Sequence, residues 1–150
     1  MTNQQLPKPL ANLLGKHMLK VEIGLALIIL LGYLLKFSSV EYGSWMFTGG
    51  LILLPIIYFL AGFIPPESTS LILIISTKVI HISYSVVVVG LLFTFNLYPG
   101  AETMINIGSI TLLISLLLFL IGSIKNFQPK DMVILIRGLI LLTFVVIVSL

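Results

Sequence analysis

Four side chains carry charge, or can carry it, within or at the edge of long apolar runs: Glu22, Lys78, His81 and Arg137. Lys78 and His81 stand three residues apart, so a helix would place them on one face. Ionisable groups at membrane depth are costly unless paired, and where they occur they mark ion paths, proton relays or anion sites. Together these four could bind an anion or a lipid headgroup, or pass protons. The plainer and favoured reading is snorkelling to the interface, with one structural salt bridge. Other chemistries have less behind them. Cysteine is absent, which removes disulfides, thiolate nucleophiles and thiolate metal sites. No metal and no cofactor are expected. His17 and His81 make a poor pair of haem ligands, because His17 precedes its apolar run. Ser83 and Ser123 come near His81 in depth, yet no nucleophile turn or orienting acid accompanies them. The chain is therefore not expected to be an enzyme. Asn106, Ser109, Thr111 and Ser115 form a polar stripe that could line a path. More commonly such a stripe makes interhelical hydrogen bonds, of about 0.6 kcal/mol each.

The elements that position these residues follow from composition. The 150 residues are 59% hydrophobic and 9% charged, with a mean hydropathy of +1.22. Soluble domains carry about 25% charged residues, so the solvent here is largely lipid. The expected fold is all-α: one polytopic transmembrane domain over residues 1–150, a bundle of five helices. A span needs about 20 apolar residues. The spans read as Val21 to Phe37, Ser44 to Phe63, Ser76 to Phe95, Thr103 to Ile124 and Met132 to Leu150, after a polar segment over residues 1–19 that is no signal peptide. Leu71 to Ile75 either lengthens the third helix, the favoured choice, or lies at the interface. Pro65-Pro66 breaks the chain after the second span, and Pro99-Gly100 marks a turn.

Of the eight Lys and Arg residues, Lys8, Lys16, Lys20, Lys78, Lys125, Lys130 and Arg137 gather at one side and Lys36 alone at the other. This bias predicts a multi-pass protein of a cell membrane, such as a bacterial inner membrane, with a cytoplasmic N-terminus and an outside C-terminus. Tyr33, Tyr42, Trp45 and Tyr98 would form the outer aromatic belt. The net charge of +3 belongs to helix ends, so no nucleic-acid partner is expected. The expected partners are the lipid bilayer and possible companions within it, either other membrane subunits or further copies in a homo-oligomer.

The shift that carries Lys20 onto Lys78 carries Val21 onto Val79, Gly32 onto Gly90, Phe37 onto Phe95, Met46 onto Met104 and Gly50 onto Gly108. Self-similarity at a fixed offset predicts a repeated unit. Here the unit is a two-helix hairpin, residues 20–64 and again 78–124, with the two copies parallel and a fifth helix over 131–150. Gly32, Gly50, Gly90 and Gly108 then become helix-packing residues, since small residues let backbones approach in lipid.

Hairpin one reads Gly32-Tyr33-Leu34-Leu35-Lys36-Phe37, then Gly43-Ser44-Trp45-Met46, then Gly50-Leu51-Ile52, and closes at Phe63-Ile64-Pro65-Pro66-Glu67. Hairpin two reads Gly90-Leu91-Leu92-Phe93-Thr94-Phe95, then Tyr98-Pro99-Gly100-Ala101, Met104 and Gly108. Both resemble the membrane hairpin of gliding motility protein GldL and its relatives. The resemblance implies a two-helix architecture, here in tandem, within a membrane assembly. The motor members are thought to use an acidic residue about one turn after the glycine that matches Gly50. This chain has Leu51-Ile52-Leu53-Leu54-Pro55 there, and Ser109-Ile110-Thr111-Leu112-Leu113 in the second copy. The resemblance therefore implies the architecture without the proton-carrying acid. A structural or accessory subunit acting through helix packing is the expected role, and a small transporter or channel subunit using the charged cluster is the alternative.

Overall fold

The computed structural model describes residues 8–64, 70–124 and 127–149. Five α-helices account for nearly all of them: α1 (Lys8–Phe37), α2 (Glu41–Ala61), α3 (Leu71–Phe95), α4 (Ala101–Ser123) and α5 (Pro129–Ser149). All five are long and apolar enough to cross a membrane, and a helix pairs the backbone groups of its interior within itself, as hydrocarbon requires. The protein is a multi-pass membrane helical bundle. Leu71 to Ile75 belongs to α3. The first helix differs from expectation, beginning at Lys8 and not near Val21. Pro9 falls in the first turn, where a missing amide proton costs nothing, and Leu10, Ala11, Leu13 and Leu14 are strong helix formers. Its apolar part runs from His17 to Phe37. Pro65-Pro66 and Lys125 lie outside the described residues.

The helices pack in a row, α1 on α2, α2 on α3 and α3 on α4, with α5 laid across α3 and α4. The core therefore sits on α3, where Ile80, Tyr84 and Val87 are completely buried. Only 11% of the apolar stretch of α1, and the same share of α5, is buried, against 39% for α3. The outermost helices are the ones most exposed to lipid.

The two hairpin turns are built alike. Ser39 and Leu97 both take the left-handed conformation, with φ of 59° and 55°. Val40 N–H donates to Leu35 O at 3.0 Å, and Tyr98 N–H to Phe93 O at 2.8 Å. This is the six-to-one closure of a Schellman cap, which satisfies carbonyls that the helix end leaves free. Ser38 Oγ returns to Leu34 O at 3.1 Å, and Asn96 Nδ2 to Leu92 O at 2.8 Å. A left-handed leucine costs about 1–2 kcal/mol, part of which glycine gives back through its freer unfolded chain. Leu97→Gly is therefore expected to raise stability by less than about 1 kcal/mol, read as a higher midpoint in a thermal or detergent unfolding curve.

The glycine crossings also correspond. A Cβ at Gly32 would lie 2.8 Å from Phe47 Cα, and one at Gly90 would lie 3.0 Å from Ile105 N. A Cβ at Gly50 would meet the Ile29 side chain at 2.6 Å, and one at Gly108 the Val87 side chain at 2.9 Å. The shift that relates the glycines thus relates their contacts too. Gly43 is tighter still against the backbone of Leu35 and Lys36, whereas the corresponding residue in the second hairpin is Ala101.

Candidate functional site

Three of the four sequence-predicted residues come to one level of the bundle. Glu22 enters from α1, some fifteen residues before Phe37, hence roughly 20 Å from that end at a helical rise of about 1.5 Å per residue. Arg137 enters from α5, and its Nη2 lies 2.5 Å from Glu22 Oε2. The side chains are only 11% and 15% exposed for Arg137 and Glu22. In a hydrocarbon layer about 30 Å thick, this depth places an ion pair well inside. No Cα of α1 lies within 8 Å of one in α5 among the described residues. The two long side chains therefore span a gap that the backbones leave open.

Two residues that sequence reasoning passed over complete the cluster. Tyr58 of α2 donates its hydroxyl proton to Glu22 Oε1, and the Arg137 guanidinium stands 6.0 Å from the centre of its ring. Tyr84 of α3 packs against Tyr58 at 5.2 Å between ring centres, the rings tilted by 51°, and donates to the main-chain oxygen of Ile134 at 2.6 Å. Four of the five helices thus meet in one polar knot. Its sequence signal was available. A tyrosine in the middle of an apolar run carries a hydroxyl that needs a partner when buried, and both Tyr58 and Tyr84 sit in such runs.

His81 is buried at the edge of this cluster, 5.9 Å from Tyr84 ring to ring. Its Nδ1 lies 2.8 Å from Thr77 O, so the imidazole is tied to its own helix and not to Glu22 or Arg137. Lys78 does not join them. It lies exposed on α3 and makes no ion pair among the described residues. Residues three apart share a face in the broad sense, but here the core boundary falls between them. The polar stripe of α4 behaves unlike an interhelical ladder: Thr111 Oγ1 bonds Ile107 O at 2.7 Å, and Ser115 Oγ bonds Thr111 O at 2.6 Å. Both hydroxyls turn back onto α4, the local alternative open to Ser and Thr. Asn106 is exposed.

Chemically, the knot holds a carboxylate, a guanidinium and two phenols with short mutual contacts. A carboxylate flanked by an arginine and a donated hydroxyl has its charge neutralised in place. Among the described residues no three His, Asp or Glu side chains gather as a metal site would require.

No curated protein and no solved structure matches the chain. The likeness drawn from the first hairpin does find its counterpart in a family model, which begins at the buried carboxylate of α1, runs through α2 and stops at the start of α3: residues 22–72 match the GldL N-terminal domain.

Proposed function

We propose that this chain is a non-enzymatic structural or accessory subunit of a membrane complex of the gliding-motility type, built on a GldL-like hairpin used twice. The observation that carries the reading is the closed Glu22–Arg137–Tyr58 knot. A proton-carrying carboxylate has to alternate between states and reach water on either side. Glu22 is instead engaged on both oxygens, and it comes from α1. In α2 the turn after Gly50 is apolar and ends at the buried Pro55. The duplicated hairpin is supported by the matching turns at Ser39 and Leu97 and the matching glycine crossings. Acting through packing, the subunit offers the exposed apolar faces of α1 and α5 to further membrane subunits or copies.

Reconstituted alone in vesicles, the chain is expected to give no proton or ion flux above empty vesicles under an imposed gradient. Gradient-driven flux that Glu22→Gln abolishes would overturn the reading in favour of transport. The charge bias supports a cytoplasmic N-terminus. A single cysteine at Gln4 is then expected to react with an impermeant maleimide only after the cytoplasmic side is opened, and one at Glu102 without opening. The reverse pattern would refute this orientation.

A further inference from the structure

Beyond the polar knot, the seam between α1 and α5 opens into a groove of about 510 Å³. Ala26 and Leu30 form one wall, Phe144 and Ile147 the other, and Leu54 and Leu91 the floor. Leu30 is 55% exposed and Ile147 63%, so the groove is open along its side to the surrounding bilayer. Part of its lining is an aromatic cluster: Phe47 and Phe95 meet at 5.2 Å between ring centres, and Tyr33 stands 5.8 Å from Phe47. The lining is almost wholly apolar. Water gains no partners in such a space, and an empty one forfeits the dispersion contacts of every atom on its walls. In a bilayer the material at hand to fill it is hydrocarbon.

A charge stands beside these aromatics. Lys36 Nζ stands 5.4 Å from the centre of the Phe47 ring, three residues beyond Tyr33 on the same helix, and makes no ion pair among the described residues. It lies in the last turn of α1, at the level where headgroups begin. The aromatic end of the groove is therefore shared with an ammonium that makes no ion pair among the described residues, the complement of an acyl chain joined to a phosphate. We propose that the groove between α1 and α5 binds one phospholipid, its chain lying along the seam and its phosphate at Lys36, with preference for an anionic headgroup.

The full chain in nanodiscs of mixed phosphatidylcholine and phosphatidylglycerol, released for native mass spectrometry, tests this. One phospholipid is expected to remain on the wild-type chain, enriched at least twofold in phosphatidylglycerol. Ala26→Trp, which fills the groove, is expected to cut retention at least fivefold, whereas Leu53→Trp on a face away from the groove leaves it unchanged. Equal retention in Ala26→Trp, no retained lipid in the wild type, or a dimer that Ala26→Trp dissolves would each overturn the proposal, the last by making the groove an interface between copies. A second measurement needs no groove-filling change. Phe144→Trp with Trp45→Phe leaves one tryptophan, on the groove wall. Its fluorescence is expected to be quenched more by acyl-brominated phosphatidylglycerol than by the phosphatidylcholine analogue at equal mole fraction, and Lys36→Gln is expected to erase the difference. Equal quenching in the wild-type background refutes the headgroup contact and with it the site.

Discussion

Arg137→Leu is expected to destabilise the bundle by about 3–5 kcal/mol, the range for removing one partner of a buried ion pair. Most of this comes from the partner left behind. Glu22 keeps the Tyr58 hydroxyl but loses the cation 2.5 Å away, and is left as a charge shielded from water by the bundle. The two helices also lose the link between them, because α1 and α5 share no close backbone approach among the described residues. The asymmetry gives the test. Glu22→Leu with Arg137→Leu and Tyr58→Phe removes both charges and the hydroxyl that Glu22 accepts from, and this combined variant is expected to recover most of the loss, since apolar replacement of a whole buried pair is often neutral or better. Unfolding in mixed micelles of increasing sodium dodecyl sulfate would read both variants. A combined variant as unstable as the single one would mean that the pair organises the helices beyond balancing charge.

Gly32→Ala is the second change of large expected effect, at about 2–3 kcal/mol, the upper range for overpacking a tight contact. The added carbon meets backbone atoms of α2, at 2.8 Å from Phe47 Cα and 2.9 Å from Met46 C. No rotamer change relieves a clash with backbone, so α1 and α2 must separate, and the packing that drives helix association in lipid goes with them. Gly24→Ala is the matched control: nothing lies within 4 Å of a Cβ there, and alanine is the better helix former by about 1 kcal/mol. The same unfolding assay should thus move in opposite directions for two glycine-to-alanine changes on one helix. Equal effects would show that backbone propensity, and not close approach, governs these positions.

The sequence made the number of spans legible because hydropathy over about 20 residues is a strong signal in lipid. The offset that relates Gly32 to Gly90 can be read without coordinates, and a Cβ at any of Gly32, Gly50, Gly90 and Gly108 would meet atoms of a neighbouring helix. The start of α1 was not legible. Helical propensity continues past the edge of the apolar run, and a proline in the first turn is not a break. For the site, Glu22 and Arg137 could be named from their cost in lipid, but their pairing depends on α5 lying across α3, which no local pattern states. Lys78 was grouped with them because depth was judged along the helix and not around it. Tyr58 and Tyr84 escaped notice because an aromatic ring in an apolar run reads first as filler.

The ion pair joins the first helix to the last, and this has a consequence for how the chain enters the membrane. Glu22 is inserted early, while Arg137 emerges only after all of α2, α3 and α4 have been made, roughly ten seconds later at ordinary rates of synthesis. Through that interval α1 carries a carboxylate with no cation to meet it. The pair thus ties the closing of the α1–α5 seam to the synthesis of α5, more than a hundred residues after Glu22.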